Sequence, residues 1–356
     1  MNQFVKMIMF IWGILAVSGC KNIETAKERD VWSKEQAKEW QAKNGWLCGA
    51  NYIPSTAINQ LEMWQSETFD TLTIDKELGW AEALGMNVMR VFLHHLAWEQ
   101  DKEGFKQRMD LFLQIASRHH IKIMFVFFDD CWNPQARPGK QPNPVPGRHN
   151  SGWLQDPGKP LNNDTTIFPL LETYVKDIMN AFADDERIVI WDLYNEPNGS
   201  NNSSMKLLQQ VFRWAKESKA RQPVTAAIWD YNLKDYNNFQ LNNSDIISYH
   251  NYGDSVWHRQ EIDSLVQYDR PLICSEYMAR TRNSTFRTIL PMLRRENVAA
   301  INWGLVSGKT NTIYAWDDTT HKDGSEPALW FHDIFSNNGI PYKQEEVELI
   351  KRITGK

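Results

Sequence analysis

Ile188-Val189-Ile190-Trp191-Asp192-Leu193-Tyr194, followed at once by Asn195-Glu196-Pro197, is the stretch of this chain that decides its fold. The first seven residues are apolar but for Asp192, and they are rich in β-branched and aromatic side chains. They lack the strict alternation of a strand with one wet face, so they read as a strand covered on both sides, the signature of a parallel sheet. Runs of the same kind recur on either side, at Trp46–Tyr52, Val88–Leu93, Ile121–Phe128, Val224–Trp229, Ile246–Tyr252, Pro271–Tyr277 and Ala299–Val306. Helical spacing fills most of the gaps, as in Thr71–Leu84, Phe105–His119, Phe168–Phe182, Ser204–Ala220 and Thr285–Arg294. Eight buried strands separated by helices predict an α/β fold, a single (β/α)8 barrel. A doubly wound open sheet would place a glycine-rich phosphate turn after an early strand, and Gly49-Ala50-Asn51-Tyr52-Ile53-Pro54 is not one.

Barrel chemistry sits where strands end and the following loops begin. Polar and aromatic residues gather there: Asn51 after the first run, Arg90 and His94-His95 at the second, Asp129-Asp130-Cys131-Trp132 at the third, Asn195-Glu196 at the fourth. Trp229-Asp230, His250-Asn251-Tyr252, Glu276-Tyr277 and Trp303 mark the remaining four. Two glutamates on the fourth and seventh strands would face each other across the mouth. Such a pair suits glycoside cleavage with retention, in which one carboxyl gives a proton and the other attacks carbon at a separation of about 5–5.5 Å.

The run ending in Asn195-Glu196-Pro197, with Pro271-Leu272-Ile273-Cys274-Ser275-Glu276-Tyr277 further on, resembles glycoside hydrolase clan A, the 4/7 superfamily of retaining β-glycosidases. Within that clan the barrel is similar to the family 5-like and family 2-like catalytic domains. The resemblance covers about Trp46 to Ile350 and implies a hydrolase acting on β-linked glycans or oligosaccharides by double displacement, of the cellulase, xylanase and mannanase class, without a cofactor. It implies Glu196 as acid/base, Glu276 as nucleophile and Asn195 as the partner of the sugar 2-hydroxyl. It further implies Arg90 beside the nucleophile, His250 and Tyr252 reaching the two carboxylates, and Trp303 as the subsite floor. Trp132, His95, Asp130 and Trp316 complete the candidate substrate contacts. Arg137, Arg148, His149 and Trp153, in the long loop 131–167, would line a subsite or be solvated. Trp316, in the loop 307–326, would stack on a sugar or pin its loop. Loops of this size lean towards a pocket and exo action.

Two other readings compete. A metal-dependent barrel hydrolase would use His94, His95, Asp129 and His250. A non-catalytic glycan-binding lipoprotein would keep the barrel without its chemistry.

At the N-terminus, Lys6 precedes the apolar run Met7–Val17, which is too short to span a membrane, and Ser18-Gly19-Cys20 follows. Residues 1–19 are read as a signal peptide, and Val17-Ser18-Gly19-Cys20 resembles a lipobox with Cys20 as the lipidated residue. Lys21 is similar to the surface-export signals of Bacteroidetes lipoproteins. Residues 20–43 are expected to be a tether and 44–356 the catalytic barrel, exported and lipid-anchored to the bacterial outer membrane. The partners expected are a carbohydrate substrate and, through the lipid alone, the membrane; the protein is expected to be a monomer. A net charge of −5 over 356 residues supplies no attraction for nucleic acid. Sixteen tryptophans suit sugar stacking and core filling alike. Cys48, Cys131 and Cys274 have neither even number nor zinc spacing, so no disulfide framework or zinc site is expected.

Overall fold

The computed structural model describes residues 28–356; the export segment 1–19, Cys20 and Lys21 lie outside the described residues. Every apolar run contains a strand: β1 (Cys48–Asn51), β2 (Val88–Phe92), β3 (Lys122–Asp129), β4 (Ile188–Asn195), β5 (Val224–Thr225), β6 (Ile247–His250), β7 (Leu272–Glu276) and β8 (Ala299–Trp303). All ladders are parallel and run in the order β5-β4-β3-β2-β1-β8-β7-β6. Between β5 and β6 the ring is closed by a single bridge, Ile228 N donating to Ser248 O (3.0 Å) and His250 N to Ile228 O (2.8 Å). The fifth strand is shorter than its apolar run because the Ala227 carbonyl accepts from the Gln240 side chain (2.7 Å) rather than from a neighbouring strand. The eighth stops at Trp303 because Gly304, at φ +84°, turns the chain away. With its helices outside, the molecule is a (β/α)8 barrel.

Side-chain alternation sorts each strand into inward and outward sets. On β2, Met89 and Val91 face the helices, while Val88, Arg90 and Phe92 face the barrel interior. Val88, Met124, Ile190, Ile246, Ile273 and Ile301 form an apolar floor in the lower half. Above it the interior turns polar with Arg90 and Asp192, both fully buried. The mouth is rimmed by Phe92, Val126, Trp153 and Trp303. The polar layer is therefore insulated from bulk water below, and only the mouth is open to solvent.

Of the segment 20–43 expected to be a tether, the described residues 28–43 pack onto the barrel. The helix Lys34–Asn44 begins at a capping box, in which Gln36 N donates to Ser33 Oγ (3.2 Å) and Ser33 N to Gln36 Oε1 (2.8 Å). Ala37, Trp32 and Trp40 then close the bottom of the barrel, and Trp40 Nε1 donates to the Val189 carbonyl (3.2 Å). Arg29 reaches the buried Asp245 at 2.6 Å. The barrel floor is apolar and would otherwise face water, which is why this segment folds onto it.

At the opposite end the loops after β1, β3 and β8 are stitched together. Asn150 N donates to Thr310 O (2.8 Å), Asn311 Nδ2 to Val145 O (2.9 Å), and Lys309 N to Ser55 O (3.1 Å). Gly147 is essential to this contact, since a Cβ there would stand 1.8 Å from the His321 carbonyl oxygen and its φ is +66°. No described helix is long and apolar enough to cross a membrane.

Candidate active site

Arg90 organises the polar layer. From β2 its guanidinium donates Nε to Asp192 Oδ2 on β4 (2.9 Å) and Nη2 to Asn195 Oδ1 (2.8 Å). Nη1 donates to Asn51 Oδ1 on β1 (2.8 Å) and to Glu276 Oε1 on β7 (2.7 Å). A flat fork with fixed donors suits this task, and a buried cation needs these acceptors to offset its lost hydration. Asn195 is oriented from both ends: its oxygen accepts from Arg90, and its Nδ2 donates to Asp129 Oδ1 (2.9 Å). The second N–H of its amide reaches the Cys131 sulfur (3.5 Å), a weak acceptor that a sugar hydroxyl can replace.

Glu276, at the end of β7, takes the Arg90 ion pair on Oε1 and a hydrogen bond from the Tyr252 hydroxyl on Oε2 (2.8 Å). Glu196 stands one residue past β4 with φ +44°. This left-handed conformation costs about 1–3 kcal/mol in a residue other than glycine, and the turn is pinned by Gly199 N donating to the Glu196 carbonyl (2.8 Å). Trp229 Nε1 adds a bond to the Pro197 carbonyl (3.1 Å). Around the Glu196 carboxyl are His250 Nδ1 at 2.8 Å from Oε1 and the Cys131 thiol at 3.1 Å from Oε2. One carboxyl oxygen of Glu196, one of Glu276 and a His250 nitrogen lie within 4.8 Å of one another. That spacing suits a retaining pair, since an inverting one needs about 6.5–9.5 Å to admit a water.

Electrostatics separates the two carboxyls. Burial pushes both above the ordinary carboxylate range. Only Glu276 touches the Arg90 cation, with Tyr252 donating as well, so the ionic form belongs to Glu276 and the shared proton to Glu196. Burial also holds the His250 imidazole neutral, with a pKa of about 4. With Nε2 3.6 Å from the Glu276 carboxylate, the proton belongs on Nε2 and Nδ1 offers Glu196 a lone pair, which favours its acid form.

These groups lie in a cavity of about 950 Å³. One end is walled by Trp132, His149, Trp153, Trp303, Trp316 and His332, most of them from the stitched loops. Tyr252 and Trp316 meet edge to face at 4.8 Å between centroids, and Trp132 stacks on His149 at 5.4 Å. The other end, formed by Trp229, Tyr231, Gly253 and Trp257, is open; Tyr231 and Trp257 are exposed there.

Of the expected site residues, Glu196, Glu276, Asn195, His250, Tyr252, Trp303, Trp132 and Trp316 line this cavity, with Arg90 directly beneath. His149 and Trp153 line it too, whereas Arg137 and Arg148 do not. His95 and Asp130 are corrections. β2 ends at Phe92, so His95 starts the helix His95–Gln100 and its ring hydrogen-bonds the buried Asp156. Asp130 is fully buried to the side, accepting from the Tyr194 hydroxyl (2.8 Å), Asn162 Nδ2 (2.8 Å) and Asn198 N (2.8 Å). Both hold loops in place rather than facing the mouth. The four groups proposed for a metal do not converge: His94 and His95 cluster with Asp156, stacked at 5.3 Å, while His250 joins Glu196 and Glu276. They can share one partner because they lie beyond the strand, where neighbours need not point to opposite faces. Cys131, His332, Trp257 and Arg282 are cavity residues that carry no motif and were not singled out from the sequence as substrate contacts.

Comparison with known proteins agrees with this geometry. Residues 54–331 match the Cellulase (glycosyl hydrolase family 5) family. No functionally curated protein matches the chain. Among solved structures, the endo-β-1,4-mannanase from Thermotoga petrophila is 15% identical with TM-score 0.57, covering 89% of this chain and 77% of that one. An exo-β-1,4-mannosidase from Opitutaceae bacterium strain TAV5 is 14% identical with TM-score 0.60, covering 93% of this chain and 62% of that one. GH5_18 from Streptomyces cattleya, in complex with Manβ1-4GlcNAc, is 12% identical with TM-score 0.59, covering 87% and 80%. Identities this low speak for the fold, and the family match speaks for the chemistry. The chain belongs to glycosyl hydrolase family 5 and is a retaining glycoside hydrolase of β-linked glycans.

Proposed function

We propose that the enzyme removes sugars from the non-reducing ends of short β-linked oligosaccharides, with β-mannosides as its first candidate substrates. Glu276 is the nucleophile and Glu196 the acid/base. A Glu276 carboxylate oxygen forms a bond to the anomeric carbon as the glycosidic C–O bond breaks, and the Glu196 proton passes to the departing oxygen. Water then attacks the glycosyl ester, gives its proton to Glu196, and returns Glu276 to the carboxylate. Asn195 Nδ2 is placed for a sugar hydroxyl, and Trp303 supplies an apolar floor for the ring.

The observation that carries the exo reading is the asymmetry of the cavity's lining, with buried His149, Trp153 and His332 from the stitched loops on one side and the exposed Tyr231 and Trp257 on the other. A polymer running through would need both ends open. The mannoside reading is supported by the substrates named for the structural neighbours. Incubation with reduced-end-labelled manno-, gluco- and xylo-oligosaccharides tests both points. Stepwise release of unlabelled monosaccharide from manno-oligosaccharides, with retained anomeric configuration by NMR, is expected. Release of mixed internal fragments would overturn the exo reading, and Glu276→Gln with unchanged turnover would overturn the residue assignment. Export and lipidation at Cys20 belong to the same proposal on the strength of the lipobox-like run. Palmitate labelling of the full chain, lost in Cys20→Ser, is the measurement.

A further inference from the structure

The stitched-loop side of the cavity carries two imidazoles that the mechanism does not use. His332, in the loop after β8, is fully buried, and its Nδ1 hydrogen-bonds the Met278 carbonyl. A carbonyl only accepts, so the proton is on Nδ1. The other ring nitrogen, Nε2, is buried without any partner among the described residues. His149, in the loop after β3, shares the tautomer but not the sealed nitrogen: Nδ1 bonds the Tyr314 carbonyl at 2.7 Å, and its Nε2, without a protein partner among the described residues, is within reach of solvent in the cavity. Burial keeps both rings neutral, His149 near pKa 4 and His332 well below its ordinary value. Each Nε2 is therefore a bare acceptor.

The two rings lie 5.3 Å apart, steeply inclined, and both line the cavity. His332 also packs against Tyr252 at 5.6 Å, the residue that hydrogen-bonds Glu276. Trp316 packs against His332 at 5.9 Å. The cation whose field reaches His332, Arg280, is buried and engaged by Glu346 (2.6 Å) and by the Trp330 and Asp333 carbonyls (3.0 Å each), while Arg282 lies over the Trp316 ring at 4.8 Å with Asp317 at 3.9 Å. Met278, whose carbonyl fixes the His332 tautomer, holds φ +82° two residues after the nucleophile. Such strain persists only where its surroundings enforce it.

We infer that His332 and His149 form a specificity subsite that reads hydroxyl donors on the non-reducing-end sugar and excludes sugars bearing a carboxylate there. A buried lone pair without a donor is costly, so a ligand that brings an O–H gains what the empty site lacks. A uronate would replace the 6-hydroxyl donor by a carboxylate that only accepts, and would set its charge against the two lone pairs. The two stitched loops thus each supply one acceptor for the terminal sugar. This subsite rests on the non-reducing-end reading proposed above.

The test uses 4-nitrophenyl β-mannopyranoside, its 2-, 3-, 4- and 6-deoxy analogues, its uronate, and the gluco series alongside. For the wild-type enzyme, removal of one or two particular hydroxyls lowers kcat/KM by roughly 10- to 100-fold, and the uronate is not turned over. In His332→Phe and His149→Phe, which keep an aromatic ring in the wall, the parent and the sensitive deoxy substrate come within about twofold of each other. A purely structural role would lower kcat/KM for all substrates equally and preserve the wild-type discrimination, which would overturn the subsite. A second measurement needs no variant and no turnover: long-range proton–nitrogen NMR of the ¹⁵N-histidine-labelled full chain. D-mannose or D-glucose should shift the Nε2 resonances of both rings while Nδ1 stays protonated, and mannuronate should not. Unmoved Nε2 signals at saturating sugar would sink the proposal. Shifts without any turnover would leave the subsite standing and instead refute the hydrolytic reading.

Discussion

Cys131 offers a sharp probe of how Glu196 keeps its proton. Its thiol lies 3.1 Å from Glu196 Oε2, and burial holds the thiol far above its ordinary range, so it donates S–H to the carboxyl. The bond favours the Glu196 anion and lowers its pKa against the upward push of burial. A hydrogen bond to a charged group is worth about 1.5–3 kcal/mol for an ordinary donor, and a thiol is a weak one, so ~0.5–1 kcal/mol is a fair share here. Serine in its place is a stronger donor of nearly the same shape. Cys131→Ser should stabilise the anion by about 1 kcal/mol more and lower the Glu196 pKa by roughly 0.7 unit. Cys131→Ala removes the donor and should raise it by about 0.5 unit. Loss of the acid sets the descending, alkaline limb of kcat/KM against pH. That limb should therefore move to lower pH in the serine variant and to higher pH in the alanine variant. The assay is the full pH profile on a β-linked disaccharide, whose poor leaving group needs the acid. Shifts of the same sign, or neither exceeding ~0.2 unit, would refute the assignment of Glu196 as the proton donor under thiol control.

Three further outcomes are expected. Glu196→Ala should cut kcat on disaccharides by about 10²–10⁴-fold, with a much smaller loss on 4-nitrophenyl glycosides, whose leaving group departs unaided; equal losses on both would contradict an acid role. Arg90→Met would leave Asp192 and Glu276 buried without their cation, costing about 3–5 kcal/mol, and a Tm within 2 °C or so of wild type would show that the ion network contributes little. Deleting the residues before Gly45 uncovers the apolar floor and strips Arg29 from Asp245, so urea denaturation should give a midpoint well below that of the full chain; an unchanged midpoint would mean the N-terminal helix is a passive appendage.

The strands were legible because burial on both faces writes an unbroken apolar run, and that signal survives in each of the eight. The placement of Glu196 and Glu276 at the mouth was legible because each follows such a run inside a recognisable pattern. Asp130 and His95 look identical to them in sequence, as polar residues just past a strand. Only the turn that follows decides whether such a side chain faces the mouth, as Glu196 does at φ +44°, or is sequestered, as Asp130 is under Tyr194 and Asn162. That the helix Lys34–Asn44 docks on the barrel escaped notice because Ala37 is its sole fully buried residue, and the tryptophans that dock it are Trp40 and the flanking Trp32. Cys131 and His332 carry no pattern at all. Their roles follow from where long loops cross, which depends on contacts such as Gly147 against His321 that no local spacing records.

The network around Arg90 explains why the two glutamates are not interchangeable and why one of them can change role without moving. At rest, Arg90 faces two buried carboxylates, Asp192 and Glu276, at 2.8 and 2.7 Å, so a third negative charge on Glu196 is disfavoured. In the proposed double displacement, bond formation to the sugar turns Glu276 into a neutral ester and removes one of those charges. The Glu196 anion, formed as its proton leaves, then finds Arg90 with only Asp192 to balance it, and His250 no longer faces a charge at 3.6 Å. The acidity of Glu196 must fall and rise with the charge on Glu276. On the proposed mechanism Glu196, protonated before glycosylation and ionised after it, acts as acid in the first step and base in the second, with no rearrangement of the barrel.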